Sequence, residues 1–267
     1  MVSQDRPLED NATDAPTDAH SWQQRMARNV PKCLKQAAIY GTLALAAGVA
    51  LLAVLTVAGL LLFRFVDPPM STLMLAQRLT GQSIEQRWVR LEQISPNLVR
   101  AVITSEDGQF CWHRGIDFRE MALAMKNADG EGLEDIRGAS TISMQVAKNL
   151  FLWPSKDLIR KGLELWVTLA MEVMWPKQRI LEVYLNIAEW GPGIFGAEAA
   201  ARHHFRKPAA RLTEREAALL AASLPNPIAR DAGQPGPGTR RIASTIEART
   251  RSASARTACI LGRMATR

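Results

Sequence analysis

The stretch at residues 37–63 limits this chain most: 27 consecutive residues carry no charged side chain, and most of them are Leu, Ala or Val. A helix rises about 1.5 Å per residue, so this run is long enough to cross a hydrocarbon layer of about 30 Å with some tilt. A core helix of a soluble protein rarely runs so far without a polar face. A cleaved signal peptide has an apolar region of only about 7–15 residues, and no A-x-A-like cleavage site follows Leu62 and Phe63. The sequence therefore predicts one transmembrane helix that stays attached.

Arg25, Arg28, Lys32 and Lys35 precede the span with no acid among them, whereas Arg64 and Asp67 nearly cancel just after it. Basic residues stay on the cytoplasmic side, so the N-terminus is expected inside and everything from Arg64 onward outside. This divides the chain into a cytoplasmic segment 1–36, an anchor 37–63 and an external domain 64–267. Residues 1–20 are polar and read as a disordered stub. The net charge of +7 resides in the tail, where residues 230–267 hold eight Arg against Asp231 and Glu247. Beside a membrane anchor, such a tail suits an anionic lipid surface, and nucleic acid is not expected as a partner. Packing of Ile242, Ile246, Ile260 and Leu261 on the domain is the competing role for the same segment.

Cys33 falls on the cytoplasmic side. Cys111 and Cys259 share the exterior and could pair, but two free thiols is the simpler expectation. His113 beside Cys111, and the pair His203 and His204, lack the further ligands that zinc needs.

Helical patterning dominates the external domain. Leu163, Val167, Ala170 and Met174 recur at three and four residues, as do Ile180, Leu181, Tyr184 and Leu185. Thr213 with Glu216 forms a capping box ahead of a helix that Pro225 and Pro227 end. Residues 233–238 read as a loop before a last Arg-rich helix over about 240–264. Strand signals are scarce.

Five ordered blocks carry the chemistry: SEDGQFCWHRG at 105–115, GASTISMQVAKN at 138–149, RKGLE at 160–164, a long block at 177–205 and LTEREAALLAASLPNP at 212–227. Together they resemble the family 51 peptidoglycan glycosyltransferases in their monofunctional form, from about Asp67 to the end of the chain. The resemblance implies a mainly α fold, with a lysozyme-like helical lobe and a small membrane-facing jaw lobe. It implies a bacterial inner-membrane enzyme with a periplasmic catalytic domain. That enzyme polymerises the lipid-linked disaccharide pentapeptide, lipid II, into β-1,4 glycan and expels undecaprenyl pyrophosphate.

By matching motifs, Glu106 is expected to take the acceptor hydroxyl proton, and Glu164 to be the second carboxylate of an inverting site. Asp107 is expected to be a structural hydrogen-bonding partner, with His113 beside it. Lys148, Lys156, Arg160 and Lys161 are the cations for the leaving pyrophosphate. Ser140, Thr141, Gln145 and Asn149 supply neutral donors on the same wall. Met144 stands where the family carries the first of two Gln residues, which places one substrate hydrogen bond in question. Leu73, Met74, Leu75, Leu79 and Trp88 lie where a lipid-tailed substrate would enter, a role shared with core packing.

The resemblance implies no tightly bound cofactor and leaves open a divalent cation, Mg or Mn, at the pyrophosphate. Expected partners are lipid II, the growing glycan chain and the cytoplasmic membrane, with transpeptidases and division or elongation proteins around them. About 40 residues follow Pro227, so no transpeptidase activity is expected. A lysozyme-like lytic enzyme would share the fold and a catalytic Glu, but it does not need Lys148, Arg160, Lys161 and Glu164 together. A catalytically silent wall-synthesis scaffold would need neither Glu106 nor Glu164.

Overall fold

The computed structural model describes residues 18–127, 140–155 and 157–264, and the stub at the extreme N-terminus lies outside them. The chain divides into two compact units, Met1–Leu55 and Thr56–Arg267. Helix α1, Asp18–Phe65, contributes to both. Within it, Leu34–Phe65 has a mean hydropathy of 2.6 and is long and apolar enough to cross a membrane. Leu43, Leu45, Val49 and Val54 are exposed, as expected of a helix whose solvent is lipid.

The second unit is mainly α, as expected. The last turns of α1 already belong to it. Leu60 is fully buried, and its carbonyl accepts a hydrogen bond of 2.7 Å from Trp175 Nε1. Arg179 donates to the Phe63 carbonyl at 3.0 Å and to Asp67 at 2.8 Å. The bond to Phe63 satisfies a carbonyl in the last turn of α1 that would otherwise lack an intrahelical partner.

The rest is built from α2 (Thr72–Leu79), α3 (Pro96–Glu106), α4 (Phe118–Asn127), α5 (Ile142–Phe151), α6 (Leu158–Met174), α7 (Lys177–Ile187), α8 (Ala197–Phe205), α9 (Glu214–Ser223), α10 (Pro237–Thr250) and α11 (Ala258–Met264). Helix α5 is the structural hinge between neighbours. Six of its ten residues are buried, and it packs on α6 and α7. Helix α3 packs against α9 and α10. Tyr184, Trp190, Phe110 and Phe195 are the largest fully buried side chains, each worth about 1.5–3 kcal/mol or more on leaving water. Three short strands, β1 (Glu85–Gln86), β2 (Glu189–Gly191) and β3 (Ile194–Phe195), form a sheet in the order β1-β3-β2. β1 runs parallel to β3, and β2 pairs antiparallel with β3 through an irregular register.

The periodicity in α6 and α7 is borne out, and the Thr213–Glu216 capping box opens α9 with both halves formed. Two expectations need correction. The last helix is broken: α10 begins at Pro237, which suits the first helical turn, and ends at Thr250. A 3-10 turn at Ala255–Thr257 then leads into α11, because Ala253 and Thr257 drop into the core and turn the chain. Cys111 and Cys259 are not free thiols; they form a disulfide across 148 residues of sequence, with Cα atoms 5.7 Å apart. The broken helix makes the pairing possible, since α11 returns to the loop that follows α3.

Candidate active site

Ser95 caps α3 and Pro96 occupies its first turn, so this apolar helix starts cleanly and carries Glu106 at its last residue. Asp107 leaves the helix with φ −159°, which sends its carboxylate to the start of α5. There it accepts from the Ile142 N–H at 3.0 Å and from His113 Nε2 at 2.8 Å. The Gly115 N–H donates to His113 Nδ1, so the imidazole proton sits on Nε2 and points at Asp107. Asp107 and His113 therefore brace the end of α3 to the N-terminus of α5, where a negative charge is also favoured by the helix dipole. Gly115 has φ +93°, and a Cβ there would lie 2.8 Å from Thr168 Cγ2. Only glycine fits this approach, which brings its carbonyl to the Thr141 hydroxyl at 2.5 Å.

Glu106 faces a cavity of about 290 Å³ lined also by Asp107, Asp117, Ser140, Thr141, Arg249 and Arg256. Gln145, one turn into α5, donates to Glu106 at 3.1 Å and in turn meets the Tyr184 hydroxyl at 3.3 Å. Burial raises the Glu106 pKa above 4.5, and the Asp107 charge adds to the rise; Gln145 and the field of Arg230 pull the other way. The same burial, with the charges of Glu106 and Asp107, holds the Tyr184 phenol well above 10, so it remains a neutral donor.

One turn beyond Gln145, Lys148 lies in the fields of Glu164, Arg160 and Lys161. Loss of solvent around its ammonium lowers its pKa, and the two neighbouring cations add to this against Glu164. Lys148 and Asn149 line a second cavity of about 300 Å³ with Thr72, Leu73, Leu152 and Trp153. The Asn149 carbonyl accepts from Thr72 at 2.9 Å. Glu164 is only 2% exposed and is held by Arg160 Nη1 at 2.7 Å and Lys161 Nζ at 2.6 Å. Among the described residues Arg160 Nε is buried without a hydrogen-bond partner. A buried, unpartnered donor on a cation calls for an anion.

The structure thus gathers Glu106, Asp107, Ser140 and Thr141 at one cavity, with Gln145 bonded to Glu106, and Arg160, Lys161 and Glu164 into one cluster near Lys148. Lys156 lies outside the described residues. Met144 is 1% exposed, so a buried apolar residue suits its position. Of the apolar residues upstream, Met74 is core, Leu73 lines the second cavity, Trp88 is half-buried beneath Arg179, and Leu75 and Leu79 are exposed. Sequence reasoning missed Tyr184, Arg230, Arg249 and Arg256 as site residues. Tyr184 was visible only as part of a helical stripe, and the arginines only as tail charge. Among the described residues no group of three His, Cys, Asp or Glu side chains is placed to hold a metal ion. Both Glu164 oxygens are already taken by cations.

The transglycosylase family profile matches residues 73–264, which contain every element of this site. A biosynthetic peptidoglycan transglycosylase of Agrobacterium fabrum is 56% identical over 194 residues, covering 72% of this chain and 84% of that protein. Proteins of the same name from Rhizobium etli and Rhodospirillum centenum are 48% identical over 215 residues and 55% identical over 208, covering 91% and 88% of their own lengths. With the family match extending through the domain and relatives of this identity covering most of it, this chain belongs to the transglycosylase family.

Proposed function

We propose that the protein is a membrane-anchored peptidoglycan glycosyltransferase that joins lipid-linked disaccharide pentapeptides into β-1,4 glycan with inversion. The observation that carries this reading is the contrast along α5: Gln145 holds a carboxylate with a raised pKa, and one turn later Lys148 enters a cation cluster with a buried free donor. Glu106 takes the proton from the acceptor hydroxyl as the acceptor oxygen bonds to the anomeric carbon. The bond from that carbon to the phosphate oxygen breaks, and its electron pair departs on undecaprenyl pyrophosphate. Lys148, Arg160 and Lys161, with Lys156, meet the charge that develops there. Glu164 holds Arg160 and Lys161 in place and titrates no reacting group. A lytic enzyme has no pyrophosphate to release and no use for this cluster.

The basic residues before α1 support an N-terminus in the cytoplasm, and the disulfide supports an oxidising compartment for the catalytic domain, the periplasm. On α6, Ile159, Trp166, Leu169 and Val173 are exposed along one face, a surface suited to the headgroup and acyl boundary where lipid II lies. Transpeptidases and division or elongation proteins would act on the same strands. Incubation of the purified protein with labelled lipid II tests the proposal. The expected product is a lysozyme-sensitive polymer; cleavage of preformed glycan without polymer would support the lytic reading instead.

A further inference from the structure

The cavity beside Glu106 has a cationic wall that the transfer chemistry leaves unused. Arg249, near the end of α10, and Arg256, in the turn before α11, line it together with Glu106 and Asp107. Three other arginines of the C-terminal segment have side-chain partners: Arg230 donates to the Ala222 carbonyl, Arg240 to the Pro235 carbonyl, and Arg251 lies 3.8 Å from Glu247. Among the described residues the guanidinium groups of Arg249 and Arg256 have no hydrogen bond or ion pair, and unlike Arg241 both line the cavity.

Among the described residues they form no ion pair with the acids of the same cavity, Glu106, Asp107, Asp117 and Glu120. Asp107 is satisfied by His113 and Ile142, and Asp117 caps the N–H groups of Arg119 and Glu120 at 3.0 Å. The cation whose field reaches Glu106 is Arg230. The backbone of both arginines is nevertheless tied to the fold, Arg256 half-buried and Arg249 exposed. Arg256 precedes buried Thr257 and sits three residues before Cys259, which is bonded to the loop following Glu106; its Nη1 lies 4.0 Å from where a Cβ on Gly108 would stand. Arg249 extends α10 one turn beyond buried Ile246.

A guanidinium fork held ready beside an open cavity suits a carboxylate or phosphate. If the function proposed above is right, the substrate carries anions in two places, its phosphates and the carboxylates of its peptide arm. Lys148, Arg160 and Lys161 serve the phosphates. We propose that Arg249 and Arg256 form a second anion subsite on the Glu106 side of the cleft, which receives a carboxylate of the substrate's peptide arm. The enzyme then reads the charge of the peptide as well as the sugars.

The test compares full-length wild-type protein with Arg249→Gln/Arg256→Gln on two lipid-linked disaccharides, one carrying the pentapeptide with free carboxylates and one without peptide. Loss of a charge-assisted pair should raise KM for the peptide-bearing substrate about tenfold. KM for the peptide-free substrate should change less than about twofold. Arg249→Lys/Arg256→Lys keeps the charge and the side-chain stems, so it should recover part of the loss and separates binding from misfolding. Equal losses on both substrates would mean the arginines hold phosphate, and no loss on either would mean they hold nothing; both overturn the subsite. Absence of polymer from the wild-type protein with either substrate would remove the glycosyltransferase reading, and the subsite with it.

Discussion

Glu106 and Glu164 are reached from the same helix, since Gln145 of α5 bonds the first and Lys148, one turn on, lies in the field of the second. Glu106 ends its helix, has a neutral amide as its hydrogen-bond donor and opens on a cavity. Glu164 sits inside its helix, 2% exposed, with a cation on each oxygen. An acid with little charge compensation is raised toward the pH at which it can accept a proton. An acid clamped by two cations serves instead to hold them. In the proposed mechanism the same side chain thus supplies a base in one place and an electrostatic frame in the other.

The largest effect that sharpens this contrast is expected from Glu106→Gln, with a fall in polymerisation of about 10²–10⁴ and an unchanged fold. Near-normal polymer yield would defeat the assignment. The same variant carries a stability signature. Because the folded pKa of Glu106 is raised, its contribution is fully present below the unfolded value and is lost as pH rises through the folded one. Glu106→Gln should therefore be more stable than wild type at neutral pH, and the gap should close as the pH falls from the raised folded value to 4.5. Urea unfolding at both ends of that range checks the sign.

Glu164→Gln should cost activity by about a hundredfold through misplaced cations. It should also cost stability, about 3 kcal/mol, because Arg160 is left buried without its partner. Activity within about threefold of wild type would place Glu164 outside the site.

How much of this contrast was legible in the sequence depends on distance along the chain. The two carboxylates and the cations lie in local motifs, and α6, α7 and α9 declare themselves through apolar spacing and a capping box. Asp107 could be read as a hydrogen-bonding partner because His113, which donates to it, is only six residues away. The disulfide was not legible, since two cysteines 148 residues apart give no sign that a broken terminal helix will bring them together. Arg249 and Arg256 were lost for the same reason: as tail charges they suggested a lipid surface, and only the fold sets them beside Glu106. Met144 looked like a missing hydrogen bond because a motif does not report which way a helix turns its side chains.

A smaller change should follow at that long-range tie. Cys259→Ser is expected to lower the unfolding free energy by about 2–5 kcal/mol, as for native disulfides that close long loops. Denaturant unfolding measures it, and a loss below about 0.5 kcal/mol would show that α11 is held by packing alone.

The most direct test of the central claim is the pH dependence of kcat/KM for wild type, Glu164→Gln and Gln145→Leu. The account predicts one acid limb above 4.5 in the wild type, set by Glu106. Glu164→Gln should keep the limb on a lowered plateau. Gln145→Leu should move it to higher pH, because the bond that holds the Glu106 pKa down is lost. A limb that disappears in Glu164→Gln, or that stays in place without Gln145, would contradict the division of labour between the two carboxylates.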